Sequence, residues 1–135
     1  MTRLRPPGRT TAVVALAAAL TPAAALPARA GGDALPRSCI ASWYGAPEER
    51  LDGWPTASGE PFDPEAMTAA SRDLPFGTRV RVTNAGTGDS VMVRINDRGP
   101  RDARRCIDLT RGAFGEIAAL SEGLVRVNLA PSLVR

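Results

Sequence analysis

The chain has 135 residues, 17 basic and 14 acidic, with 44% hydrophobic residues, two cysteines and no histidine. Without histidine or a second cysteine pair it argues against a zinc centre, and it shows no phosphate-binding glycine loop. Its formal charge of +3 does not describe the body of the chain. Arg3, Arg5, Arg9 and Arg29 precede residue 31, and residues 31–135 hold 13 arginines against 14 acids, a net charge of −1. That balance argues against a nucleic-acid partner, which needs a clustered basic face.

Met1 to Arg9 is basic without an acid, Thr10 to Leu26 is apolar, and Ala28-Arg29-Ala30 supplies the small residues of a cleavage site. This is the pattern of a secretory signal over residues 1–30, cut after Ala30. The apolar run is too short, and too interrupted by Pro22 and Pro27, for a membrane span. Cys39 follows Pro36-Arg37-Ser38 rather than the aliphatic and small residues of a lipid-attachment site. The expected product is therefore soluble, without a membrane anchor, and exported to the periplasm or the exterior. Residues 31–37 read as a linker, 38–131 as one small domain and 132–135 as a tail. An even cysteine pair in an exported chain predicts a Cys39–Cys106 disulfide, contributing about 4 kcal/mol by loop-closure entropy.

Cys39 to Tyr44 reads as a first strand ended by Gly45, and Ala46 to Glu60 as a long surface loop rich in Gly, Pro and charge. A short strand comes next, over Met67–Ala70. Thr78 to Asn84 then alternates, Val80 and Val82 on one face and Arg79 and Arg81 on the other. Ala85 to Asp89 is a hairpin loop, and Ser90 to Ile95 returns with Val91, Val93 and Ile95 sharing a face. By the same parity Asp97 is expected to point inward, provided no bulge interrupts the strand. Cys106 to Leu109 is another strand, Thr110 caps a predicted helix through Leu120, and Leu124 to Leu129 alternates as a last strand. Short strands with one short helix predict an all-β fold closed into a small barrel.

Several stretches together resemble one family. They are Ala41-Ser42-Trp43-Tyr44-Gly45, Thr56-Ala57-Ser58-Gly59-Glu60, Phe62-Asp63, Thr68-Ala69-Ala70, Leu74-Pro75-Phe76-Gly77-Thr78, Val80-Arg81-Val82-Thr83-Asn84, Ile95-Asn96-Asp97-Arg98-Gly99-Pro100 and Ile107-Asp108-Leu109. In this order they resemble the RlpA-like double-psi β-barrel proteins over residues 40–129. The resemblance implies a mainly β, six-stranded double-psi barrel with one or two short helices, sharing its architecture with expansins and barwin. It also implies a bacterial cell-envelope setting, with peptidoglycan glycan strands as the ligand. The activity implied is that of a lytic transglycosylase preferring glycan without stem peptides and leaving 1,6-anhydro-muramic ends. One carboxyl serves such a reaction as acid and then as base.

The resemblance places chemistry on Glu60, Ser71 and Asp97, with Asp97 as the main acid. Ser71 stands where family members carry histidine, and a serine cannot shuttle a proton near neutral pH. Arg98, Trp54 and Tyr44 are expected to contact substrate, and Asp108 to be structural. No cofactor or metal is expected, and the chain reads as a monomer. Two other functions stay open: a non-catalytic, expansin-like module that binds glycan, and a protein that interacts with envelope or division-site partners.

Overall fold

The computed structural model describes residues 37–132, together with residues 8, 12–15 and 17–18. Apart from those few, the expected signal segment lies outside the described residues, as do 31–36 and 133–135.

Period-two alternation builds most of the barrel. β3 (Arg79–Asn84) pairs antiparallel with β4 (Ser90–Asp97), setting Val80 opposite Val93 and Val82 opposite Val91. The valines are buried and Arg79 and Arg81 are exposed, as the alternation predicts. Asn84 shapes the hairpin loop: its Oδ1 accepts the amides of Gly86 and Thr87 at 2.9 and 3.3 Å. β1 (Arg37–Tyr44), β2 (Thr68–Ala70), β5 (Arg105–Thr110) and β6 (Leu124–Ser132) complete the sheet. The ring closes in the order β1-β5-β2-β4-β3-β6. β1/β5 and β2/β4 are parallel and the other pairs antiparallel, so among the described residues no strand edge is left open.

Ile95, Ile107, Leu109, Val80, Val82, Val93 and Val127 fill the interior. Phe114 joins them at 0% exposure, from α1 (Arg111–Gly115) packed on β1 and β5. Burying each such side chain contributes roughly 1.5–3 kcal/mol. The Cys39–Cys106 disulfide is present, with Cα atoms 5.9 Å apart. It joins β1 to β5 at a register shift: Ile40 is opposite Arg105 and Ala41 is opposite Ile107, so Cys106 is the extra residue.

Two expectations are corrected. The helix ends at Gly115, not Leu120, although Thr110 caps it as predicted by accepting the Ala113 amide at 3.2 Å. Gly112 and Gly115 weaken its propensity. Beyond Gly115 the chain tightens, the Glu116 and Ile117 amides donating three residues back to the Ala113 and Phe114 carbonyls at 3.2 and 3.0 Å, and side chains of other elements hold the segment that follows. Asn84 Nδ2 donates to the Ile117 carbonyl at 2.7 Å, and Trp43 Nε1 to that of Leu120 at 3.0 Å. The apolar stripe still packs, since Phe114 and Ile117 are buried and Leu120 lies against the core. The second correction concerns Asp97. Ala69 is opposite Ile95 but Ala70 is opposite Asp97, so Asn96 is a bulge that breaks the parity of β4. Asn96 turns inward, 3% exposed, and Asp97 sits half-buried at the rim.

Candidate active site

Asp97 ends β4 with its carboxylate held from several elements. Oδ1 accepts the main-chain amides of Ala57 and Arg98, both at 2.9 Å, and Oδ2 accepts the Tyr44 hydroxyl at 3.1 Å. Tyr44 comes from the end of β1, and its ring packs on Phe62 with centroids 4.8 Å apart. Burial first, and the neighbouring Asp97 carboxylate second, push the Tyr44 phenol well above its ordinary range. It therefore stays a hydrogen-bond donor at any physiological pH. Gly45 makes the aromatic pair possible: its φ is +88°, and a Cβ there would stand 2.5 Å from Phe62 Cζ. Tyr44 and its neighbour Trp43 point opposite ways, one to Asp97 and the other to the core and the Leu120 carbonyl.

Asp108 lies behind this cluster. Its Oδ1 accepts the Ser42 hydroxyl at 3.0 Å, and Arg105 Nη1 donates to the same hydroxyl at 2.8 Å. Burial raises its proton affinity, opposed by the Ser42 hydrogen bond and Arg105 and reinforced by Glu49 and Asp97. Two carboxyls thus influence Tyr44. The sequence leads one to expect a structural Asp108, and the Ser42 hydroxyl and Arg105 are the groups that surround it here.

Glu60, one of the three positions on which the resemblance places chemistry, is ion-paired to a neighbouring strand. Arg94 grips it with Nη1 on Oε1 at 2.6 Å and Nη2 on Oε2 at 2.8 Å, and Asn96 Nδ2 donates to Oε2 at 3.3 Å. The Arg94 hydrogen bonds, then that from Asn96, lower its proton affinity, the wrong direction for a general acid. What Glu60 does is anchor a loop. Its carbonyl accepts the Thr56 amide at 2.8 Å, Ser58 N–H donates to the Asn96 carbonyl at 3.2 Å, and the Ala57 amide between them reaches Asp97. Sequence reasoning misses Arg94 because a charged residue on an exposed strand face carries no sign of its partner 34 residues away.

This pairing gives a pH prediction. Glu60 is held below its ordinary value of 4.5, so its stabilising contribution is present above that value and lost as pH falls through the folded one. The Glu60→Gln variant should show a flatter decline of melting temperature with acidification than the wild type. Equal acid slopes in thermal unfolding scans would contradict it.

Ser71 meets the site through its backbone: its amide donates to the Asp97 carbonyl at 3.1 Å. Its hydroxyl, 4% exposed, accepts the Asp73 and Leu74 amides at 3.3 and 3.1 Å and so builds a turn. The Arg98 guanidinium lies over the Phe76 ring, 3.8 Å from the centroid, and Nη1 donates to the Ser71 and Leu74 carbonyls at 3.1 and 2.9 Å. It braces the turn after β2 while Arg98 as a whole stays exposed. Trp54 is 66% exposed on the loop after β1, an aromatic face open to solvent. Asp97, Tyr44 and the Glu60 loop are therefore brought together, whereas the Ser71 hydroxyl and the Arg98 guanidinium serve the turn beside them.

The lytic transglycolase family model matches residues 37–129. The chain belongs to that family. Curated proteins similar to the chain include the probable endolytic peptidoglycan transglycosylase RlpA of Nostoc sp., 56% identical over 90 residues, which are 67% of this chain and 24% of the relative. The Treponema pallidum protein described in the same words is 47% identical over 100 residues, 74% of this chain and 30% of that one. The endolytic peptidoglycan transglycosylase RlpA of Pseudomonas aeruginosa is 45% identical over 89 residues, 66% and 25% of the two chains. This chain thus spans about a quarter to a third of the length of these relatives. Two solved structures share the fold. The Streptomyces papain inhibitor aligns at TM-score 0.60 and 21% identity, covering 75% of this chain and 97% of that one. A mutant Clavibacter michiganensis expansin in complex with cellohexaose aligns at 0.57 and 18% identity, covering 75% and 51%. The double-psi barrel expected from the sequence is the family's fold.

Proposed function

We propose that this barrel cleaves peptidoglycan glycan strands in the cell envelope as a lytic transglycosylase, with Asp97 as the catalytic carboxyl. The observation that carries the reading is the way Asp97 is held. Two main-chain amides occupy Oδ1, and Oδ2 has one donor, the Tyr44 hydroxyl, leaving its second lone pair for a proton in transit. The Asp97 proton passes from Oδ2 to the glycosidic oxygen as the bond from the muramic C1 to that oxygen breaks. The C6 hydroxyl of the same sugar then closes on C1, and its proton returns to Oδ2. No water is consumed, and the carboxyl ends as it began. Tyr44 is a positioning residue, fixing the carboxyl in the plane the reaction needs. Names of relatives that act on peptidoglycan support the substrate, and a disulfide supports an exported location.

A second reading draws on Glu60 and Ser71. With Glu60 ion-paired and Ser71 built into a turn, neither adds a second proton-transfer group, which favours a module that grips glycan without cutting it. Mass spectrometry of fragments released from intact and from amidase-stripped peptidoglycan separates the two. The transglycosylase yields anhydro-ended fragments, with more from the stripped glycan. Glycan retained by the protein without such ends would overturn the enzyme in favour of the binding module.

A further inference from the structure

A recess of about 430 Å³ opens where β1 and β5 end, lined by Pro47, Arg50, Asp52 and Arg111. Its size falls among small-ligand clefts, about 300–1,000 Å³. None of the groups around Asp97 lines it. It adjoins them through Tyr44, whose main chain pairs with Thr110, the residue before Arg111, while its hydroxyl reaches Asp97.

The two arginines are presented differently. Arg111 is fixed from behind, with Nε and Nη2 on Glu65 Oε1 at 2.8 and 2.6 Å. Its Nη1 makes no hydrogen bond among the described residues. Arg50 makes no ion pair among them either, and its backbone is left-handed at φ 51° and ψ 42°. Glycine adopts that conformation without strain and arginine does not. Arg50 closes the short turn Pro47–Glu49, its amide donating to the Pro47 carbonyl at 3.4 Å. Asp52 adds a carboxylate, a strong acceptor for hydroxyl and amide hydrogens. Two residues further along, Trp54 offers its exposed ring. Two guanidiniums, one acceptor and a nearby aromatic face suit a sugar bearing a carboxylate.

We propose that this recess binds the free lactyl carboxylate of a muramic unit next to the bond that Asp97 cleaves, an assignment that rests on the glycan-cleaving reading above. In wall carrying stem peptides that carboxyl is an amide and uncharged. Once the peptide is removed it becomes an anion, and Arg50 and Arg111 meet it with charge-assisted hydrogen bonds. Asp52 accepts a hydroxyl or acetamido hydrogen of the same sugar. The pair thereby distinguishes a stripped muramic unit from a substituted one by charge.

Cosedimentation with amidase-stripped glycan tests the assignment, before and after carbodiimide chemistry converts the lactyl carboxylates to amides. Amidation should weaken wild-type binding by about tenfold to a hundredfold. Arg50→Ala should weaken binding to the untreated glycan by a similar factor and respond little to amidation, while Arg50→Lys restores part of the response. An Arg50→Ala protein that discriminates as sharply as the wild type would overturn the proposal, as would a wild type that does not bind stripped glycan. Cosedimentation needs no cleavage. Carboxylate-dependent binding without anhydro products would therefore remove the transglycosylase reading, and with it the placement beside a cleaved bond, while leaving the recess as the carboxylate site of a glycan-binding module.

Discussion

Asp97→Asn is expected to reduce the release of anhydro-ended fragments by about two to four orders of magnitude, the usual contribution of a well-placed acid–base group. The substitution keeps the shape of the side chain. Its amide oxygen can still accept the Ala57 and Arg98 amides, and its nitrogen can donate to the Tyr44 hydroxyl, so the barrel should fold unchanged. What is lost is the exchangeable proton on Oδ2. The rate loss should therefore appear in kcat with glycan binding retained, the signature of an interaction made in the transition state. Tyr44→Phe should cost less, because it frees the carboxyl to rotate without removing its proton. An Asp97→Asn protein that cuts stripped glycan at the wild-type rate would take Asp97 out of the chemistry and return it to the turn it caps.

The second large effect is on stability. Replacing Cys39 and Cys106 by serine should lower the unfolding free energy by about 4 kcal/mol, the loop-closure entropy of a bond spanning 67 positions in sequence. For a domain of this size, whose whole stability is about 5–15 kcal/mol, that is a large share. The bond sits at the bulge in β5, where the parallel ladder with β1 is interrupted. Urea titration of the wild type, with and without reductant, and of the double-serine variant measures it. A midpoint that does not move on reduction would show that the β1/β5 ladder holds without the cross-link.

Much of this molecule is legible in its sequence. Val80, Val82, Val91 and Val93 announce a hairpin because a strand with one buried face must alternate, and both strands lie where the alternation puts them. The two cysteines allow one intramolecular pairing. Three features are not legible, each because a distant partner decides it. The Asn96 bulge depends on how β2 meets β4, which the local pattern of β4 cannot register. The segment after α1 is placed by Asn84 and Trp43, from β3 and β1, which donate to the Ile117 and Leu120 carbonyls. Glu60 looks like a free loop acid because Arg94 sits on a strand whose other face alone carries the periodic signal. The candidate site is legible as a place on the chain and only partly as a set of roles. Sequence order locates the residues, whereas hydrogen-bond partners separate a carboxyl with an open lone pair from side chains committed to holding loops and turns.

The closing pair of the ring governs how the domain can be carried. β6 runs antiparallel to β1, with Leu129 opposite Arg37 and Leu124 opposite Ser42, so the first residues of β1 and the last of β6 lie side by side. Tyr44 and the recess occupy the opposite pole. A carrier fused before β1 or after β6 would leave the barrel from the pole remote from the carboxylate, in either case with the same orientation. Such a unit can be grafted onto either end of a partner, or inserted between two, with Asp97 and Tyr44 still at the pole away from the junction.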